Sequence, residues 1–246
     1  MKSHIIKTWR DPYDEGFSTT RARKITINSG LTVLVGCNGA GKTTLLHNIK
    51  SELKKEHIPC ILFDNKVSGG STSMSASMLR RDYTLFATQF CSSEGENITI
   101  SLGQVAKSLG GFLKTGESED DIKRKKWRNM LGVDEEEDSE TLQTNERWIL
   151  FDAIDSGYSI DNILDLKQFF EVIFEDSDKQ SLDTYIIVSC NEYELANGEQ
   201  CFDVMSGKYV TFKDYGDFRK FIISTRAKKE KRVAKVESNQ NKVAVE

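Results

Sequence analysis

Residues 31–49 read LTVLVGCNGAGKTTLLHNI. The apolar, β-branched run LTVLV (31–35) has the character of a buried strand. From Thr43 to about Lys54, the apolar residues Leu45, Leu46, Ile49 and Leu53 fall at helical spacing. Between strand and helix lie Gly36, Cys37, Asn38, Gly39, Ala40, Gly41, Lys42, Thr43 and Thr44. Glycines there let the backbone curl until several N–H groups point inward, and the helix N-terminus adds partial positive charge. A loop so built, ending in Lys-Thr, holds phosphates: Lys42 reaches the β and γ phosphates, and the Thr43 hydroxyl is placed to ligate Mg²⁺. That requirement fixes the scaffold as α/β, with strand, loop and helix in this order.

The remainder of the chain fits such a scaffold. Short strands are expected at 5–9 and 24–27, ahead of the loop, and further strands at 59–63, 148–151 and 185–188. Ile98, Leu102, Val105, Leu109 and Leu113 form one helical stripe, and Ile163, Leu164, Leu166, Phe169, Phe170 and Ile173 form another. Residues 218–223 close the packed domain. Alternation of buried strands with helices predicts a mainly parallel sheet flanked by helices. Residues 1–225 form one domain on this reading. A charged insertion at 115–146 is partly helical and partly mobile. A charged, disordered tail occupies 226–246.

Charge and cysteine usage exclude several classes. A net charge of −4 gives no global attraction to nucleic acid, so any such contact must be local. The five cysteines (Cys37, Cys60, Cys91, Cys190, Cys201) form no CxxC pair, and reduced thiols account for them better than disulfides or zinc. The N-terminal MKSHIIKTWRDPYDEG has only two isoleucines as its apolar stretch, and no window approaches a membrane span. A soluble, cytoplasmic protein is expected.

GCNGAGKTT resembles the phosphate loop of ABC-type P-loop ATPases, in particular the SMC/RecF branch that acts in DNA repair and chromosome maintenance. The preceding RKITINSG and the earlier short strand match that branch's N-terminal antiparallel strands. Small stand-alone heads of this kind occur among phage-encoded ATPases. Three further stretches extend the likeness. In SSEGE (92–96), Ser93 and Gly95 match the signature residues that bind the γ-phosphate of a nucleotide held by a second subunit, although an ordinary helix cap also accounts for this stretch. In WILFDAIDSGYSID (148–161), the strand ends in Asp152, the family's Mg²⁺-holding aspartate, and Ser156, Gly157, Tyr158 and Ser159 match an interface turn with Asp161 nearby. In YIIVSCNEYEL (185–195), a strand ends where the family carries a γ-phosphate-sensing histidine.

The resemblance implies ATP and Mg²⁺ as cofactors and a homodimer closed around two ATP molecules. Each composite site would combine Lys42, Thr43 and Asp152 of one chain with Ser93 and Gly95 of the other. Departures from the pattern bear on turnover. Ala153 stands where the family has its catalytic glutamate, and a methyl group cannot orient a proton. Cys190 stands at the histidine position, followed by Asn191, and the only histidines are His4, His47 and His57. General-base groups contribute about a hundredfold or more in rate, so hydrolysis should be slow. Asp155 or Glu192 could substitute as base. Gln89 lies almost on the signature, so Asp64 or Asn65 is the alternative for the family's Q-loop residue. The short interval between Lys42 and Ser93 leaves no room for coiled-coil arms or a full helical lobe.

Two rival readings remain at this level: a nucleotide-gated interaction module that never hydrolyses, and a P-loop kinase. Lys123, Arg124, Lys125, Lys126, Trp127 and Arg128 combine cations with an aromatic that could stack on a base, and 226–235 is a second basic run. Both runs also fit solvated helix faces, the first balanced by acids at 134–138. A DNA or protein partner through either run is the corresponding expectation, with no membrane contact.

Overall fold

The strands form where apolar residues run without a polar alternate, because both faces of a parallel sheet are covered by helices. The computed structural model describes residues 2–8, 22–64, 94–131, 144–154 and 159–243. Its elements are β1 (Ser3–Lys7), β2 (Lys24–Asn28), β3 (Gly30–Val35), α1 (Lys42–Lys55), β4 (Cys60–Asp64), α2 (Glu94–Thr115), α3 (Glu119–Met130) and β5 (Glu146–Asp152). There follow α4 (Ile160–Lys179), β6 (Asp183–Ser189), α5 (Tyr193–Ala196), β7 (Gln200–Asp203), β8 (Lys208–Val210) and α6 (Tyr215–Val243). Six strands form one sheet in the order β4-β5-β6-β3-β7-β8, parallel except for the β7–β8 pair. Separately, β1 and β2 pair antiparallel, from Ser3 opposite Asn28 to Lys7 opposite Lys24.

The period of two along each strand splits the core into two layers. Trp148, Leu150, Tyr185, Ile187 and Leu34 face α1 and the β1–β2 ribbon, where they meet Leu45, Leu46, Ile49, Leu53, Ile6, Ile25 and Ile27. Ile149, Phe151, Ile186, Val188, Val33 and Val35 face the other way, onto Leu109, Phe112, Ile163, Leu166 and Phe170. Asn48 on α1 donates to the Lys7 carbonyl at 3.0 Å, which pins the ribbon to that helix. The buried Arg147 spends its guanidinium on carbonyls, Leu113 at the end of α2 at 3.2 Å and Thr144 at 2.8 Å. It thereby satisfies a C-terminal helix carbonyl that has no partner within the helix.

The parallel sheet flanked by helices and the antiparallel N-terminal strands are present as expected. One stretch differs from the sequence reading. The run from 226 onward is the continuation of α6, a helix of 29 residues that reaches Val243, rather than a disordered tail. Most of its charged residues up to Lys235 are exposed and give no apolar stripe, yet no glycine or proline follows Gly216 to stop the helix. The helical part of the charged insertion is α3, capped by Ser118, whose hydroxyl accepts from the Asp121 N–H. No helix among the described residues is long and apolar enough to cross a membrane.

Two buried acids set an alkaline limit. Burial, with Glu146 and Asp183 adding to it, pushes the Tyr185 phenol from 10.0 up to about 12. Burial, with Glu199 adding to it, pushes the Cys201 thiol from 9.0 up to about 12. The folded chain therefore keeps protons that the unfolded chain has already released. That stability is fully present below the unfolded values and is lost as pH rises through the window from 9.0 to about 12. Thermal melts followed by circular dichroism should show the midpoint falling steadily across that window. A flat profile there would contradict the burial of these two groups.

Candidate functional site

Parallel pairing brings the carboxyl ends of β3, β5 and β6 to one edge of the sheet. Leu34 pairs with Ser189, and Phe151 pairs with Val188, so the 36–41 loop, Asp152 and Ser189 emerge side by side. Crevices outside the carboxyl ends of parallel strands are where open α/β sheets bind ligands.

The loop's backbone depends on glycine at two positions in particular. Gly41 is the N-cap of α1, at φ 93° and ψ 25° in the left-handed region. It supplies no side-chain oxygen to the first-turn N–H groups, and no acidic residue lies in that turn. The positive end of α1 thus carries no anionic group of its own. Gly39 has φ +70°, and a Cβ there would run into the Lys229 ammonium. Beneath the loop, Cys37 and Ala40 are buried against Met205. Asn38 and Gly39 form the exposed outer turn.

Lys42 folds back over this loop. Its Nζ donates to the Gly36 carbonyl at 2.8 Å, to the Cys37 carbonyl at 3.5 Å and to Asn191 Oδ1 at 2.8 Å. The exposed Thr43 sits one residue on, and its hydroxyl donates to Asp152 Oδ1 at 3.1 Å. The Asp152 carboxylate is buried, at 3% exposure, and the same oxygen also accepts from the Ser189 hydroxyl at 2.6 Å. Ser189 in turn accepts from the Ala153 N–H at 2.7 Å. Ala153 is held at φ 51°, a conformation an L-residue adopts at a cost. Thr43, Asp152, Ser189 and Ala153 therefore form one hydrogen-bonded chain across β5 and β6.

Cys190 is buried, and its Sγ lies 3.1 Å from both the carbonyl and the N–H of Glu192, closing the turn after β6. The residue that reaches the loop from this turn is Asn191, one position beyond the expected histidine. Gly95 lies in the first turn of α2, which starts at Glu94. Ser93, Asp155, Gln89, Asn65 and the 156–158 part of the interface turn lie outside the described residues. Ser159, the last residue of that turn, caps α4 by accepting from the Asn162 N–H, and the Asn162 side chain completes the capping box. Thr44 is exposed on α1. Asp64 ends β4 opposite Asp152 in register.

Four contributors carry no signal of their own in the sequence. Ser189 was read only as the strand's end, and Asn191 only as a departure from a pattern. Thr225 and Lys229 of α6 fell within or beside the supposed tail. Thr225 is fully buried, and its Oγ1 accepts from the Cys37 N–H at 3.2 Å. Lys229 Nζ donates to the Asn38 carbonyl at 3.0 Å. The one sequence signal for them was the absence of any helix breaker after Gly216. Neither a scan against protein-family models nor a search of the curated proteins returns a match for this chain.

Proposed function

We propose that the chain is an ABC-type P-loop ATPase head of the SMC/RecF kind, which binds ATP with Mg²⁺ and dimerises around two nucleotides. The observation that carries this reading is the meeting of Thr43 Oγ1 and Asp152 Oδ1 at 3.1 Å beside a loop that Lys42 folds across. Both are hard oxygen donors. Among the described residues no group of three or more His, Cys, Asp or Glu could hold a metal. One hydroxyl and one carboxylate suit an ion that keeps waters and arrives with phosphates, as Mg²⁺ does. When bound, that ion would neutralise charge on the phosphate oxygens. Lys42 would exchange its carbonyl partners for phosphate oxygens, which bond an ammonium more strongly. The N–H groups at the start of α1 would bind the remaining phosphate charge.

Turnover is expected to be slow. The residue after Asp152 is a methyl group with its N–H spent on Ser189, so it neither takes nor orients a proton. Asp155 is the nearest acidic substitute along the chain. The same observation favours a second reading, in which nucleotide gates association and is never hydrolysed. Ser93 and Gly95 of a second copy would complete each site across a two-fold axis. The exposed face of α3 gives a surface for a nucleic-acid strand: Trp127 is 62% exposed among the exposed Lys123, Arg124, Lys126 and Arg128.

Sedimentation of the full chain with and without saturating ATP and Mg²⁺, with phosphate release followed in parallel, tests the proposal. A shift from monomer to dimer with slow release that Lys42→Ala removes is expected. A dimer without any release identifies the non-hydrolysing module. A monomer in both conditions removes the composite site.

A further inference from the structure

The loop is approached from two sides. Lys42 closes it from within, on the Gly36 and Cys37 carbonyls. Lys229 reaches its outer turn from α6, on the Asn38 carbonyl and over Gly39. The position of α6 is fixed rather than incidental. Phe218 is buried in the main core, and the fully buried Thr225 ties the helix to the Cys37 N–H. Thr225 and Lys229 are four residues apart, so they share one helix face and meet the loop in succession. The neighbouring acid, Glu230, pairs with Arg226 at 3.0 Å. The acceptor that the structure gives Lys229 is a neutral backbone carbonyl, a weaker partner for an ammonium than an anionic oxygen.

We propose that Lys229 is a second phosphate-directed cation, supplied in cis by α6 to the outer turn of the loop. The inference rests on the nucleotide-binding reading above and deepens it. Lys42 on the Gly36 and Cys37 carbonyls and Lys229 on the Asn38 carbonyl would then both supply positive charge to a phosphate chain held by the loop. Cations supplied in cis or in trans at such loops stabilise charge on the outermost phosphate. The Lys229 ammonium ends a long flexible side chain, so it can change partners without moving α6.

Calorimetric titration of the full chain with Mg²⁺ and a slowly hydrolysed ATP analogue tests this, using wild type, Lys229→Met, Lys229→Arg and Lys42→Ala. Lys229→Met keeps most of the apolar stem and removes the charge. It should weaken binding by about tenfold to a hundredfold, the range for one hydrogen bond to a charged group. Lys229→Arg should restore most of the affinity, which a purely structural role for the side chain would not require. Far-UV circular dichroism should report unchanged helix in both variants. If Lys229→Met binds as tightly as wild type or more tightly, or if arginine fails to rescue, the role of Lys229 is overturned; where Lys42→Ala still abolishes binding, the nucleotide reading stands. If wild type itself binds no analogue, the nucleotide reading fails and the role of Lys229 with it.

Discussion

Lys42→Ala should weaken ATP binding by more than about a hundredfold, since an ammonium bridging two phosphate oxygens makes two charge-assisted bonds of roughly 1.5–3 kcal/mol each. The side chain is already aimed at the loop, held by Gly36 O, Cys37 O and Asn191 Oδ1. Little rotamer entropy remains to be lost when phosphate replaces these partners. Truncation to alanine removes the charge without creating a large cavity, because Lys42 is only partly buried and lies at the start of α1. The variant should therefore fold. Equilibrium titration with a fluorescent ATP analogue, beside a thermal melt, checks both statements. Near-native affinity in Lys42→Ala would mean that the loop does not hold phosphates in the proposed way.

Trp148→Ala should cost about 3–5 kcal/mol of stability, the range for removing a large buried aromatic. Trp148 has 0% exposure. Its ring stacks on Tyr185 with centroids 4.1 Å apart and planes 3° from parallel, and His4 meets it edge-on at 5.4 Å. The indole N–H donates to Glu146 at 3.0 Å, so the polar end is satisfied as well. Collapse around the vacancy would have to move β5 or β6, both central in the sheet. Against a total stability of about 5–15 kcal/mol, such a loss is a large fraction. Denaturant titrations of Trp148→Ala and of Ile160→Ala, which is 61% exposed, make the comparison. The second should change stability by less than about 0.5 kcal/mol. Similar values for the two would contradict the packing described around β5.

The strands that build the site were legible because burial on both faces leaves an uninterrupted apolar signature. LTVLV, WILF and YIIV announced β3, β5 and β6, and the glycine loop with Asp152 fixed where the site lies. Strand order was not legible. β7 has only four residues, QCFD, with a polar residue at each end, and its pairing with β3 is a long-range event that no local pattern encodes. The extent of α6 was hidden for a different reason. A helix whose outer turns stand in solvent needs no apolar stripe, and its charge run reads like a tail. Ser189 and Asn191 gained meaning only through register. Ser189 faces Asp152 because β5 and β6 run parallel with Phe151 opposite Val188, and Asn191 reaches Lys42 because β6 lies beside β3. Cys190 illustrates the limit of pattern matching: its thiol turns into the Glu192 backbone, and its neighbour makes the contact with the loop.

Equilibrium titration of the chain with ATP, with and without Mg²⁺, decides whether the loop holds a nucleotide. Saturable binding of one ATP per chain is expected, tightened by Mg²⁺ through Thr43 and Asp152. No saturable binding in either condition, from a chain that melts cooperatively, would contradict it.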